Sequence, residues 1–137
     1  MSTVYANARL ILSKGDGLVH VAAAPDVCKT PTPAGPQPIP YPNLAMDSDL
    51  VGGSTNVKVV GQPAALARAK LSQSSGDEAG AAGGVVSGMT KGPMSWASAS
   101  PDVLIEGSPV VRFMDQTLHN GSGASNTMGM AMGRAKP

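Results

Sequence analysis

The chain has 137 residues, a formal net charge of +1 and charged side chains at only 14% of its positions. So few basic residues cannot form a positively charged stripe that neutralises the phosphates of a nucleic acid. We therefore do not expect nucleic acid as a partner. The single cysteine excludes an intramolecular disulfide framework and any Cys-x-x-Cys metal or redox motif.

The rest of the composition predicts a small all-β fold of short strands. The chain has 17 Gly and 12 Pro but only 3% aromatic residues, so tight turns are frequent and the core must be filled by Val, Ala, Leu and Met. No stretch approaches the ~20 apolar residues of a membrane-spanning helix. The first twelve residues also lack the basic and apolar regions of a cleaved secretory signal. We predict one domain over residues 1–137, with an N-terminal hairpin in 1–23, a core in 24–121 and an extended tail in 122–137.

The predicted N-terminal hairpin is formed by two apolar runs, residues 8–12 and 18–21. They are separated by the turn-forming sequence Ser13-Lys14-Gly15-Asp16-Gly17, which is typical of a hairpin connection. His20 lies between two valines of the second run. It is either an ordinary strand histidine or a metal ligand.

Residues 25–42 are rich in proline, largely at every second position. Each proline removes an amide donor and fixes φ, so neither a helix nor a central strand is expected. We predict an extended, polyproline-like ribbon packed on the domain surface. A flexible linker and a ligand for proline-recognising domains are the alternatives.

An internal repeat relates residues 54–66 to residues 100–112. Val57 matches Val103, Gly61 matches Gly107 and Pro63 matches Pro109, each at a separation of 46 residues. Both copies are predicted to be strand, turn and strand, although the alanines of 63–70 by themselves favour a helix. A weaker third match places residues 24–28 on residues 100–104. Three copies predict a pseudo-three-fold architecture.

Two further segments carry polar or flexible side chains. Residues 72–84 form a loop that lacks a phosphate-binding motif, and its Asp77 and Glu78 are expected to bind neighbouring backbone amides. In the tail, Met128, Met130 and Met132 recur at every second residue, which predicts one face of an extended strand. Packing against a partner is the expected use of these side chains, with copper(I) binding as the alternative.

Three residues are candidates for chemistry: Cys28, His20 and His119. Cys28 and one of the histidines would form a thiol nucleophile and base if the chain brings them to hydrogen-bond distance. The three together would supply most of a mononuclear zinc site, with an aspartate or a water as fourth ligand. A buried structural cysteine is the remaining interpretation.

The sequence resembles the PAAR-repeat proteins, and in particular their PAAR-like branch, which occurs in type VI secretion and related contractile injection systems. Pro63-Ala64-Ala65 with nearby Arg68 is close to the motif that names the family. Ser100-Pro101-Asp102-Val103 followed by Gly107-Ser108-Pro109 and Arg112 is similar to the family's repeat. The branch is indicated by residues 25–31, 38–43 and 75–80.

The resemblance implies a small cone of β-strands with pseudo-three-fold symmetry. The broad base would dock on a trimeric VgrG-type spike, one chain per trimer, and the tip would lead when the sheath contracts and would touch the target membrane transiently. In members of the family a zinc ion near the tip is held by histidines and a cysteine, which suggests His119, Cys28 and His20 as ligands here.

The function expected from this resemblance is that of a non-enzymatic structural tip that aids membrane puncture and effector delivery. The protein would be made in the cytoplasm without a signal peptide, assembled at the spike tip and delivered outside the cell or into a target cell. An adaptor that loads a separate toxin or other effector cargo onto the spike is the alternative, and a small thiol hydrolase using Cys28 and His119 is a third hypothesis.

Overall fold

The computed structural model describes residues 4–131 and the backbone of a last strand at 134–135. It confirms the all-β prediction. Apart from a single 3-10 turn at Asp47–Asp49, the regular structure of these residues is β-strand. Within this part of the chain no helix is long and apolar enough to cross a membrane. The strands are β1 (Tyr5–Ala6), β2 (Arg9–Leu10), β3 (Leu18–Val21), β4 (Asp26–Thr30), β5 (Gln37–Tyr41), β6 (Leu44–Met46), β7 (Leu50–Val51), β8 (Lys58–Val59), β9 (Gln62–Pro63), β10 (Lys70–Leu71), β11 (Met94–Trp96), β12 (Leu104–Ile105), β13 (Ser108–Pro109), β14 (Gln116–His119), β15 (Thr127–Met130) and β16 (Arg134–Ala135).

Three short hairpins share one construction. They are β1–β2, β8–β9 and β12–β13, and each closes through two residues of positive φ. This backbone twist matches the right-handed twist of the strands that it connects. The turn pairs are Asn7-Ala8 (φ 53° and 63°), Val60-Gly61 (50° and 76°) and Glu106-Gly107 (54° and 79°).

The segments that follow the hairpins close into a ring of backbone hydrogen bonds. The Leu12 amide donates to the Val111 carbonyl (3.1 Å), Val111 donates to Ala65 (2.9 Å), and Ala65 donates back to Leu12 (2.9 Å). A second cycle links the same three segments: Lys14 to Pro63, Ala67 to Pro109, and Phe113 to Leu10. This cyclic pattern confirms the predicted pseudo-three-fold symmetry.

Side chains at the hairpin turns join neighbouring repeats. The Glu106 carboxylate accepts hydrogen bonds from the amides of Thr55, Asn56 and Val57 at 2.8–3.0 Å. Asn7, at the equivalent position of the first hairpin, donates to Asp102 (2.7 Å). The corresponding residue of the second hairpin is Val60, which is exposed.

The prediction for the third repeat was wrong. The third copy is the N-terminal hairpin, β1–β2, and not residues 24–28, which belong to β4. The first hairpin was hard to recognise because Ala8 and Leu10 stand where the other copies have a glycine and a proline.

The predicted pairing of residues 8–12 with 18–21 was also wrong. β2 pairs with β1, whereas β3 pairs with β6 and with β16. The intervening turn does form, because the Asp16 carboxylate accepts the amides of Ser13 and Leu18, both at 3.0 Å.

The proline-rich segment is extended, as predicted, but it is hydrogen-bonded. β5 pairs with β4 over five residues, from Asp26–Tyr41 to Thr30–Gln37, in a two-stranded ladder. Pro38 and Pro40 are tolerated because a strand at the edge of a sheet does not need every amide. The predicted polyproline ribbon is therefore an edge β-strand.

A five-stranded sheet, in the order β15-β14-β11-β10-β7, contributes side chains to the same hydrophobic core as the ring. The core is built from small aliphatic side chains, as the composition predicts, and the ring residues Leu12, Ala65 and Val111 lie at its centre with at most 1% exposure. Pro63–Lys70 is not helical, which confirms the interpretation based on the repeat. Met128 and Met130 share the exposed face of β15, whereas Met132 lies outside the described residues.

Candidate functional site

A buried cluster of Asp26, Cys28 and Asp77 lies beneath the β4–β5 ladder. The alternation of β4 points Asp26 and Cys28 to its inner face. The Cys28 Sγ lies 3.5 Å from Asp26 Oδ1 and 3.8 Å from Asp77 Oδ2. Among residues 4–131 this is the one group of three or more His, Cys, Asp or Glu side chains whose ligand atoms lie within 4.8 Å of one another. It could hold a metal ion.

Three asparagines donate hydrogen bonds to Asp26. Asn43 Nδ2 lies 3.0 Å from Oδ2, Asn120 Nδ2 lies 3.1 and 3.2 Å from the two oxygens, and Asn126 Nδ2 donates to Oδ1. Asn126 also accepts the amide of Val86 (2.8 Å), so it joins this cluster to the turn at residues 84–88. Asn43, Asn120 and Asn126, all distant from β4 in the sequence, therefore meet at one carboxylate.

The pKa values of the two carboxyl groups of the cluster are shifted in opposite directions. Burial, together with the hydrogen bond to Asp26 and its negative charge, raises the pKa of Asp77 to about 7. Burial alone would also raise the pKa of Asp26, but hydrogen bonds from Asp77, Asn126 and Asn120 lower it. Asp77 is therefore protonated below about pH 7 and donates a hydrogen bond to the ionised Asp26 carboxylate.

Cys28 is held as a neutral thiol. Burial, followed by the charges of Asp26 and Asp77, raises its pKa to about 12. The ring nitrogens of His119 bind Thr117 Oγ1 (2.9 Å) and Asn43 Oδ1 (2.8 Å). This geometry does not support the thiol-hydrolase hypothesis, because both ring nitrogens of His119 bond to described groups other than the Cys28 sulfur.

The histidines His20 and His119 occupy equivalent positions of two repeats. Each lies four residues after a turn-capping aspartate, Asp16 in one case and Asp115 in the other, and each is fully buried. Burial lowers the pKa of both to about 4, and for His119 the nearby His20 adds to the effect.

His20 also belongs to a second buried acidic group. Its Nε2 lies 2.7 Å from Asp47 Oδ1, while its Nδ1 has no hydrogen-bond partner within the described chain. Burial raises the pKa of Asp47 to about 7. Burial and the adjacent Asp47 also raise the pKa of Asp16 to about 7.

The structure thus places Cys28 with carboxylates and each histidine with other partners. His20, Cys28 and His119 are not a group within 4.8 Å of one another, although Asn43 bonds to both His119 and Asp26. A zinc site on these three residues stays a prediction. Sequence reasoning missed Asp26 and the asparagines. Asp26 and Cys28 are two residues apart in an extended segment, so their side chains point to the same face. This spacing was the available signal for their proximity.

A second surface of interest is the hairpin face, defined as the outward side of the three hairpins. Tyr5 and Leu104 lie at equivalent positions and are 63% and 59% exposed, and Val60 at the second turn is 70% exposed. Lys58 occupies the remaining equivalent position. Each hairpin therefore exposes one large apolar side chain, and a group of such side chains on one surface is typical of a protein interface.

Comparison with known proteins agrees with this architecture. The family described as Toxin PAAR-like domain matches residues 19–129. The DNase toxin Tse7 of Pseudomonas aeruginosa (strain PAO1) is 37% identical over 124 residues, which cover 85% of this chain and 32% of the toxin. The chain therefore spans about a third of the length of that relative. No solved structure matches the chain. Because the family match extends over most of its length, the chain belongs to the Toxin PAAR-like family.

Proposed function

We propose that this chain is the structural tip of a contractile injection spike of the type VI secretion kind. It caps the blunt end of a trimeric VgrG-type spike, aids puncture of the target membrane and is delivered outside the cell with an effector. The observation that carries the proposal is the cyclic hydrogen bonding of three equivalent hairpins that present exposed apolar side chains.

The symmetry supports a stoichiometry of one chain per spike trimer. A pseudo-three-fold face can meet three identical subunits through the same set of positions, and a continuous ring gives it the rigidity that such a contact needs. Tyr5, Leu104 and Val60 are the side chains proposed to bury against the spike.

No catalytic role is assigned to the described residues in this proposal. Asp26, Cys28 and Asp77 are each fully buried, so a macromolecular substrate does not reach them. The similarity to a DNase toxin supports a role in effector delivery, since this chain corresponds to about a third of that protein.

The docking test is native mass spectrometry of the purified chain mixed with its trimeric spike. One chain per three spike subunits is expected. Tyr5→Asp with Leu104→Asp should abolish the complex, whereas Val51→Asp, at an exposed position of β7 that pairs with β10 and not with a hairpin strand, should leave it intact. A ratio of one chain per subunit would overturn the proposal.

Deletion of the gene distinguishes the proposed role as spike tip from the alternative role as adaptor. Loss of the tip should stop secretion of all cargo, whereas loss of an adaptor should remove a single effector and leave the export of the spike unchanged.

Zinc is proposed as the metal, if the chain holds one. The cluster offers suitable donors: the Cys28 thiolate and the carboxylates of Asp26 and Asp77. Zinc would take the place of the protons on Cys28 and Asp77 and fix their positions. Elemental mass spectrometry should find near-stoichiometric zinc that is lost in Cys28→Ala. Absence of zinc would leave the cluster as a hydrogen-bonded part of the core.

A further inference from the structure

The loop between Glu78 and Lys91 presents an uncharged, apolar surface. Residues 79–90 contain no charged side chain. Val85 and Val86 are 50% and 66% exposed, and Ala81 and Ala82 are exposed beside them. Adjacent valines are costly to leave in water and are seldom placed together on a surface without a partner.

This valine turn, residues 84–88, is held rigidly. The Gly88 amide donates to the Gly84 carbonyl (2.9 Å), and Asn126 Oδ1 accepts the amides of Val86 and Ser87 at 2.8 and 3.3 Å. Val85 donates to the Val27 carbonyl of β4 (3.0 Å). The valines are therefore displayed on a turn that is hydrogen-bonded to β4 and to Asn126.

A basic side chain flanks the turn. Lys29 of β4 is exposed, exchanges backbone hydrogen bonds with Ala82 and Gly83, and forms no ion pair with another described residue. Apolar side chains at the end of a turn with a lysine beside them match a membrane surface, where the valines enter the acyl boundary and the ammonium meets phosphate groups.

We propose that the valine turn, with Lys29, is a lipid-contacting surface that inserts shallowly into an anionic membrane. A convex turn of two valines suits insertion better than docking on a protein, because a stable protein interface needs a far larger area. The turn is bonded to β4 and Asn126, whereas the hairpins are bonded to one another, so the two surfaces are built by different parts of the chain. The inference rests on the proposed function, since a spike tip is the part that meets a target membrane.

The test uses the full chain and vesicles of phosphatidylcholine containing about a third phosphatidylglycerol, followed by co-sedimentation. The wild type should partition onto them, and Val85→Asp with Val86→Asp should reduce the partition coefficient at least about tenfold. The matched control is Val60→Asp on the hairpin face, which should partition like the wild type. Lys29→Glu should lower binding to these vesicles and have little effect on pure phosphatidylcholine.

Spike binding distinguishes failure of this inference from failure of the proposed function. The double variant should still form the complex with the trimeric spike, which also shows that it is folded. Vesicle binding that is absent in the wild type, or unchanged in a double variant that binds the spike, would overturn the inference. Loss of vesicle binding in Val60→Asp would show instead that the hairpin face contacts the lipid, and it would also overturn the inference.

Discussion

Asp77 carries a proton that the folded protein holds more tightly than the unfolded chain does. Its pKa is about 7 in the fold, against an ordinary value of 3.8. A raised pKa favours the fold below about pH 4, and this contribution is lost as the pH rises through 7. In that interval one such group lowers the free energy of unfolding by up to about 1.4 kcal/mol per pH unit.

Asp77→Asn should therefore flatten the pH dependence of stability. The amide keeps a donor for Asp26 but cannot ionise. We expect the wild type to lose more stability than the variant between pH 5 and pH 8, measured by urea unfolding at both pH values. Asp16 and Asp47 titrate in both proteins, so the difference between the two curves reports the Asp26–Asp77 pair. Parallel curves would contradict the assignment.

Cys28 should be unreactive in the folded protein. Burial and two neighbouring carboxyl groups raise its pKa to about 12, so almost no thiolate forms at pH 8. A thiol-specific disulfide reagent should leave the native chain unlabelled for hours and label it within minutes in guanidinium chloride. Rapid labelling without denaturant would show that the cluster opens or that the thiol is ionised.

Among the repeated hairpins, the second contains a strained residue. Val60 has φ 50°, a conformation in which a β-branched side chain is unfavourable by about 1–2 kcal/mol, whereas asparagine tolerates it. Val60→Asn should therefore stabilise the protein by about 1 kcal/mol in urea unfolding. Val57→Asn is the control, because Val57 is also exposed and apolar but is not among the residues of positive φ, and it should show no gain.

The same backbone feature explains how well each hairpin could be predicted. Gly61 and Gly107, each followed two residues later by a proline, marked the second and third hairpins in the sequence. The first hairpin enters the same conformation with Asn7 and Ala8, and alanine gives no sign of positive φ. Leu12, which follows the hairpin, bonds to Ala65 and Val111, both more than fifty residues away, and local patterns do not report such pairings.

The candidate site was only partly predictable for a related reason. Cys28 and His119 could be named from residue type, but their neighbours are set by the meeting of Asn43, Asn120 and Asn126 around Asp26. Asparagines were not considered as members of the site, since their role depends on burial beside a charge. Asp77 was expected to bind backbone amides, and it does accept the Lys91 amide at 3.1 Å. Its pairing with Asp26 depends on the tertiary fold.

For the whole molecule, the first hairpin should be indispensable even though the family match starts at residue 19. Leu12 is both donor and acceptor in the ring, and Ala6, Ile11 and Leu12 belong to the core. A chain lacking residues 1–12 should lose cooperative thermal unfolding. Removal of residues 136–137 is the matched control and should leave the transition in place. A cooperative transition in the shorter chain would contradict the role of the ring.

The ring also sets the order of events during synthesis. Leu12 must wait for Val111, its bonding partner in the closed ring, and at ordinary translation speeds that delay is roughly 5–20 seconds. Until Ala65 has been synthesised, no neighbouring repeat can bond to Leu12, and the ring stays open until Val111 follows. The first hairpin is thus the repeat that waits longest for its partners, and a holding chaperone that binds it would protect its apolar side until the ring closes.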